Sequence, residues 1–120
     1  MSQKILVANY RYHVSRDEFE KMALQVAPAF SDVPGCLWNI WLIDADKKEA
    51  GGIYLFADEQ SLQNFKMGPL VASLLADPAL SDFDFKEKDV LQQASELTHA
   101  PLMAAGMAHQ YDADDGLSVF

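Results

Sequence analysis

Three histidines, one cysteine and two tryptophans are the side chains through which this 120-residue chain could most readily do chemistry. His13 is the natural general base by type, because an imidazole with an unperturbed pKa near about 6.5 exchanges protons at neutral pH. The same residue is equally an ordinary occupant of a strand end, where water would surround it. His13, His99 and His109 follow no HExxH or HxxE spacing, and Cys36 has no CxxC partner, so no transition-metal ligand set is written in the chain. The DADDG run at 112–116 lacks the further positions of a calcium loop. No GxSxG elbow offers an acyl-transfer serine, and no GxGxxG or Walker pattern surrounds Gly51-Gly52. A cofactor-free site with no metal is therefore the expectation, with Cys36 a buried structural thiol. What is left is aromatic: Trp38 and Trp41, three positions apart with Asn39 between them, lie on one strand and face opposite ways.

The elements that must position these groups alternate. Residues 3–13 predict a strand, with Ile5, Val7, Asn9, Arg11 and His13 on one face and Leu6, Ala8, Tyr10 and Tyr12 on the other. Ser15 and Glu18 have capping-box spacing, and Phe19, Met22, Ala23, Val26 and Phe30 follow at helical intervals, so a helix should run from Ser15 to about Pro28–Phe30. Residues 36–43 and 52–56 predict a hairpin across the polar segment 44–49, with Gly51-Gly52 permitting a bulge or a close backbone approach. Asp58 should cap a second helix carrying Leu62 and Phe65, broken at Gly68-Pro69 and resumed through Leu75. Alternation over 82–91 predicts a half-exposed edge strand.

The order β-α-β-β-α-β in a chain this short predicts an α+β, ferredoxin-like domain over 1–102: a four-stranded antiparallel sheet with two helices on one face. Residues 103–120 are expected to be a C-terminal arm or tail. Along the hairpin Trp38, Ile40 and Leu42 oppose Leu37, Trp41 and Ile43, so neither face of the sheet is polar. Helices cover one face only, and uncovering several large side chains forfeits roughly 1.5–3 kcal/mol each, so the second face should meet another subunit. The competing expectation is a monomer whose tail folds back over that face. One tryptophan should serve the monomer's interior and the other the dimer.

Bulk properties narrow the function classes. Nine basic against eighteen acidic residues give a net charge of −9. Such a surface repels phosphate backbones and anionic headgroups, which argues against nucleic acid and membrane partners. No apolar run approaches the roughly 20 residues of a membrane span, the N-terminus does not read as a signal peptide, and a lone cysteine agrees with a reducing compartment, so a cytoplasmic protein is expected.

The block VPGCLWNIW followed by KEAGGIYLFADEQS closely resembles the hairpin block of the YdhR-like mono-oxygenases. These form a branch of the dimeric α/β-barrel superfamily that includes the antibiotic-biosynthesis mono-oxygenases. The resemblance covers residues 1 to about 102 and implies the same topology, with the sheets of two subunits facing each other in a homodimeric barrel. Asn39 stands where the family pattern favours a lysine, and the stretch beyond Pro101 has no counterpart in the short members.

Relatives in that superfamily oxidise aromatic or quinol-like substrates with molecular oxygen and neither metal nor flavin, the deprotonated substrate itself reducing oxygen. What the resemblance implies here is an oxygenase for a small aromatic or polycyclic phenol, needing an apolar slot and a few polar groups, sheltered from water. Trp38, Trp41, Tyr54, Phe19 and Met22 are the candidates to line that slot. Asn9, Arg11, Asn39 and Tyr10 are candidates to orient the phenol, with His13 as base. The alternative is a non-catalytic dimeric module that binds or senses a hydrophobic ligand in the same slot. On that reading the tryptophans are packing or interface residues first.

Overall fold

Strand β1 (Lys4–Tyr12) buries Leu6, Ala8, Tyr10 and Tyr12 and leaves Asn9 and Arg11 exposed, which is the period-two pattern of a strand with one face inward. The computed structural model describes residues 2–102; the arm expected over 103–120 lies outside the described residues. Helix α1 (Arg16–Ser31) starts where the capping box places it. The Ser15 hydroxyl oxygen accepts from the Glu18 amide at 3.1 Å and donates to its carboxylate at 3.2 Å. Its buried residues, Phe19 and Phe30, stand at the two ends of the helix with small residues between them. The helix runs through Pro28 and ends at Ser31, one residue past the Pro28–Phe30 end that the sequence suggests, and the Ser31 hydroxyl donates to the Pro28 carbonyl at 2.7 Å.

Strands β2 (Cys36–Asp44) and β3 (Glu49–Phe56) make the hairpin, with β3 starting three residues earlier than its apolar run indicates. At Gly35 the backbone turns with φ +78°, and a Cβ there would lie 2.0 Å from the Ser61 hydroxyl oxygen, so only glycine fits. At Gly51 a Cβ would stand 1.9 Å from the Ala8 carbonyl oxygen: this is close backbone approach, and the register shifts fall elsewhere, between Cys36 and Trp38 and between Asn9 and Arg11.

Asp58 caps α2 (Glu59–Lys66) by accepting from the Ser61 amide at 2.8 Å, and Gly68-Pro69 separates it from α3 (Pro69–Ala76). Strand β4 spans Leu80–Asp89, two residues earlier than the alternation suggests, and a short α4 (Gln92–Leu97) follows that the sequence reading does not contain.

The sheet order is β2-β3-β1-β4, antiparallel throughout, which is the ferredoxin-like arrangement the element order predicts. One face carries Leu6, Ala8, Tyr54 and Phe56 against Phe30 of α1, Leu62 and Phe65 of α2 and Val71 of α3. A second cluster packs Tyr10, Tyr12, Ala50 and Leu80 on Phe19.

The opposite face is covered only in part. Across one end the Trp38 indole donates to the Pro101 carbonyl at 2.5 Å and the Gln3 amide donates to the Leu102 carbonyl at 2.5 Å. Leu102 and Leu55 are buried, whereas Ile40 and Leu42 on the edge strand stay 50% and 43% exposed. The chain thus straps its own outer face at the Trp38 end and leaves the rest apolar and open. No described helix is long and apolar enough to cross a membrane.

Candidate functional site

Alternation decides which side of the sheet each β2 residue serves. Asn39 pairs with Tyr54, Trp41 with Gly52 and Ile43 with Ala50, all toward the helices; Trp38 pairs with Leu55 and Ile40 with Ile53, toward the open face. The two tryptophans therefore do part company. Trp41 packs edge-on against Phe30 of α1, with ring centroids 5.2 Å apart at 67°, while Trp38 holds the strap.

Between α1 and edge strand β2 lie two hollows. The inner one, about 240 Å³, is walled by Ala27, Phe30 and Ser31 of α1 and by Cys36, Leu37, Trp38, Asn39 and Trp41. The outer one, about 330 Å³, is walled by Phe19, Glu20, Ala23, Leu24 and Ala27 of α1 and by Trp41, Leu42 and Ile43. They exist because α1 presents alanines at 23 and 27 between its two phenylalanines, so the helix stands off the sheet where a larger residue would have filled the gap.

Asn39 is the anomaly in this groove. Both its amide nitrogen and its amide oxygen are shut off from solvent, and neither has a hydrogen-bond partner among the described residues. Burying an unpaired polar group costs about 1–3 kcal/mol, so such a group is retained in an apolar site only where something repays it. Room for the side chain comes from the neighbouring strand: a Cβ at Gly52 would fall 3.1 Å from the Asn39 amide oxygen.

The ionisable groups nearby are held neutral. Burial pushes the Cys36 thiol up, against a smaller downward pull from its hydrogen bond to the Trp38 carbonyl, 3.4 Å away. Burial also raises the Tyr54 phenol far above the ordinary tyrosine range, with Tyr10 and Cys36 adding to it, and raises Tyr10 to about 12. Among the residues walling the inner hollow, the Cys36 thiol is the one ionisable side chain.

Of the residues singled out from sequence, the structure brings Asn39 and Trp41 together at the inner hollow and puts Phe19 on the outer one; Trp38 borders the inner hollow from the strand, but its indole is on the open face. Tyr54 is Asn39's cross-strand partner, buried among Phe30, Phe56 and Phe65. Met22 is half-buried on α1 and walls neither hollow. Asn9 and Arg11 project from the open face and are exposed. His13 is not brought to the groove: it lies beyond the end of β1, exposed, its Nε2 2.6 Å from the Ser81 hydroxyl. Asn39 sits level with Leu6, seven residues away, and at about 3.3 Å per residue that is more than about 20 Å of sheet. The general-base assignment for His13 therefore has no geometry behind it in this chain. The sequence reading missed Ala27, Phe30 and Ser31 as walls, although small residues flanked by Phe19 and Phe30 on one helix were a readable sign of a gap.

A helix-backed antiparallel sheet with an aromatic groove along one edge strand defines the class, and comparison with known proteins agrees. The chain belongs to the family described as "Putative mono-oxygenase ydhR", whose model matches residues 5–101. Among curated proteins none matches. Solved structures share the fold: a protein of unknown function from Nitrosomonas europaea superposes with TM-score 0.65 at 20% identity, over 76% of this chain and 91% of its own. SnoaB, a cofactor-independent oxygenase from Streptomyces nogalater, superposes with TM-score 0.62 at 20% identity, over 77% and 96%. A heme-degrader, MhuD of Mycobacterium tuberculosis, gives 0.59 at 17% identity over 73% and 95%.

Proposed function

We propose that this chain is a cofactor-independent mono-oxygenase that holds an aromatic phenol in the α1–β2 groove and works as a homodimer. The observation that carries the reading is the Asn39 amide, buried without a partner among the described residues beside the rings of Trp41 and Phe30. With its side chain turned from its place beside Gly52 into the hollow, that amide would find its missing partner in a phenol lying against Trp41 and Phe30. The amide N–H₂ donates to the phenol oxygen and does so more strongly once that oxygen is an anion, which lowers the cost of losing the proton.

The proton leaves to water, and the electron-rich ring carbon then reduces oxygen directly. For a phenol with an open para position the balance is phenol plus O₂ giving the para-quinone and one water: the ring C–H and the phenol O–H supply the two hydrogens of that water, one oxygen atom enters the ring, and the substrate supplies all the electrons that reduce O₂. Family membership and the fold shared with SnoaB support oxygen chemistry. The homodimer is supported by the open face, where Ile40 and Leu42 remain exposed beside half-buried Val7 and Ile53.

A second reading, a binding or sensing module, is favoured by one observation: the inner hollow offers no side chain that ionises near neutral pH and so no evident base. Oxygen uptake decides between the two. The metal-stripped protein is offered phenols, hydroquinones and anthrones in air-saturated buffer. Uptake above the uncatalysed rate, with a quinone product identified by mass, is expected; saturable quenching of tryptophan fluorescence with no product would establish the binding module instead.

A further inference from the structure

The inner and outer hollows share two walls, Ala27 and Trp41. Ala27 is too small to divide anything, so the indole of Trp41 is what separates them. Sites for drug-sized ligands run to roughly 300–1,000 Å³. At about 240 Å³ the inner hollow falls short of that range, and only in continuity with the outer one, at about 330 Å³, would the groove sit well inside it. The polar group able to orient a hydroxyl, Asn39, is on the inner side alone. The outer side offers Leu24 and Ile43, exposed apolar side chains, with one carboxylate, Glu20; the Leu42 side chain alternates to the open face.

We infer that Trp41 determines specificity by ring number: it ends the Asn39 hollow and restricts it to phenols of one or two rings, excluding three-ring phenols that would have to run on into the outer hollow. This rests on the reading of the groove as a phenol site. The placement of the indole supports it. Trp41 stands opposite Gly52, so no cross-strand side chain pushes the indole off the sheet, and its edge contact with Phe30, at 5.2 Å, holds it toward α1. Asn39, two residues earlier on the same strand face, is then the next group a ring meets on the inner side. With the indole gone, the added ring of a larger phenol would lie against Leu24 and Ile43 without losing its hydroxyl contact.

Binding of phenol, 1-naphthol and 1-anthrol by calorimetry under anaerobic conditions, where no turnover intervenes, tests this on the wild type, W41A and W41F. In the wild type 1-anthrol should bind at least about tenfold more weakly than 1-naphthol, the scale on which a pocket wall discriminates size. In W41A that ratio should reverse, with W41F between, while melting curves confirm that the variants fold. Because the readout is a ratio, a general loosening of the site does not imitate it. Wild-type protein that binds 1-anthrol as tightly as 1-naphthol would overturn the inference, as would one ranking shared by all three proteins or binding of no ring by any. Oxygen uptake is scored separately: a ring-number limit without uptake leaves the partition standing and sinks the oxygenase reading, and uptake with an unchanged ranking does the reverse.

Discussion

Replacing Asn39 with leucine should stabilise the protein while abolishing its function. Leucine has nearly the shape of asparagine and no polar atoms. The substitution therefore removes two buried groups, the amide nitrogen and oxygen, that have no partner among the described residues. Each such group costs about 1–3 kcal/mol, and removing both polar ends together leaves nothing newly unpaired. Taking the low end for each gives about 2 kcal/mol. For 120 residues the unfolding entropy is about 0.25 kcal/mol/K, so the melting temperature should rise by roughly 8 °C. Gly52 across the strand leaves room for the branched side chain.

The same substitution removes the donor proposed for the phenolate oxygen, and loss of one such donor typically costs about 10²–10³ in rate. The expected pair of results is thus a higher melting temperature by calorimetry, at one fixed protein concentration because a dimer's melting depends on it, with kcat/KM for the best phenol down about a hundredfold. A site that trades stability for activity gives that pair. If N39L melts several degrees below the wild type, the amide is engaged in a structural bond and the reasoning fails. If it is more stable but fully active, Asn39 has no part in the chemistry.

Four further outcomes follow from the same structure. W38F deletes the indole N–H that holds the Pro101 carbonyl, so limited proteolysis should cut within 92–102 faster than in the wild type while the sheet stays intact, at a cost of about 0.5–1.5 kcal/mol in chemical denaturation. If the proposed homodimer forms through the open face, the wild type should sediment as a dimer and I40E, which puts a charge on that exposed apolar face, as a monomer, whereas L24E on α1 should leave the association unchanged. S15A removes the cap of α1 and should lower stability by about 1 kcal/mol. Tyr10 and Tyr54 are raised above their unfolded value of about 10, so the unfolded chain sheds these protons first as pH rises: the stability tied to their neutral forms is complete below about pH 10 and is lost above it, visible as a fall in melting temperature alongside delayed tyrosinate absorbance at 295 nm.

The topology was legible in the sequence because each element announces itself locally. The capping pair Ser15 and Glu18, the Gly68-Pro69 break and the alternation in β1 and β4 each involve neighbours a few residues apart. The opposed tryptophans were legible too, since alternation along β2 survives the register shift next to Cys36. What stayed hidden depends on distances across the sheet. His13 and Asn39 are both polar residues on strands, and nothing in their spacing says that one ends up solvated and the other sealed in an aromatic wall more than about 20 Å away. The strap was hidden for a similar reason: Pro101 meets Trp38 at a separation of 63 residues, a contact no local pattern encodes. Helix α1 continues past Pro28 because proline forfeits one backbone bond there, a loss set against the burial of Phe30 two residues on.

Dividing two tryptophans between two faces has a consequence for how such a small domain can hold both a core and a site. The strand that carries them is a sheet edge, paired on one side only, and it is exposed where it bears Ile40, Trp41, Leu42 and Ile43. An edge strand with that much exposed apolar surface is an aggregation hazard unless something answers it. Trp38 is answered by the chain's own residues 101–102 and Trp41 by Phe30, and each answer is incomplete. On the helix side the shortfall is the groove beside Ala23 and Ala27; on the open side it is the patch around Ile40. A partner subunit would cover the second and a ring the first. In the proposed dimer both needs fall on one strand, so ligand occupancy and subunit association would be felt by the same nine residues, Cys36–Asp44.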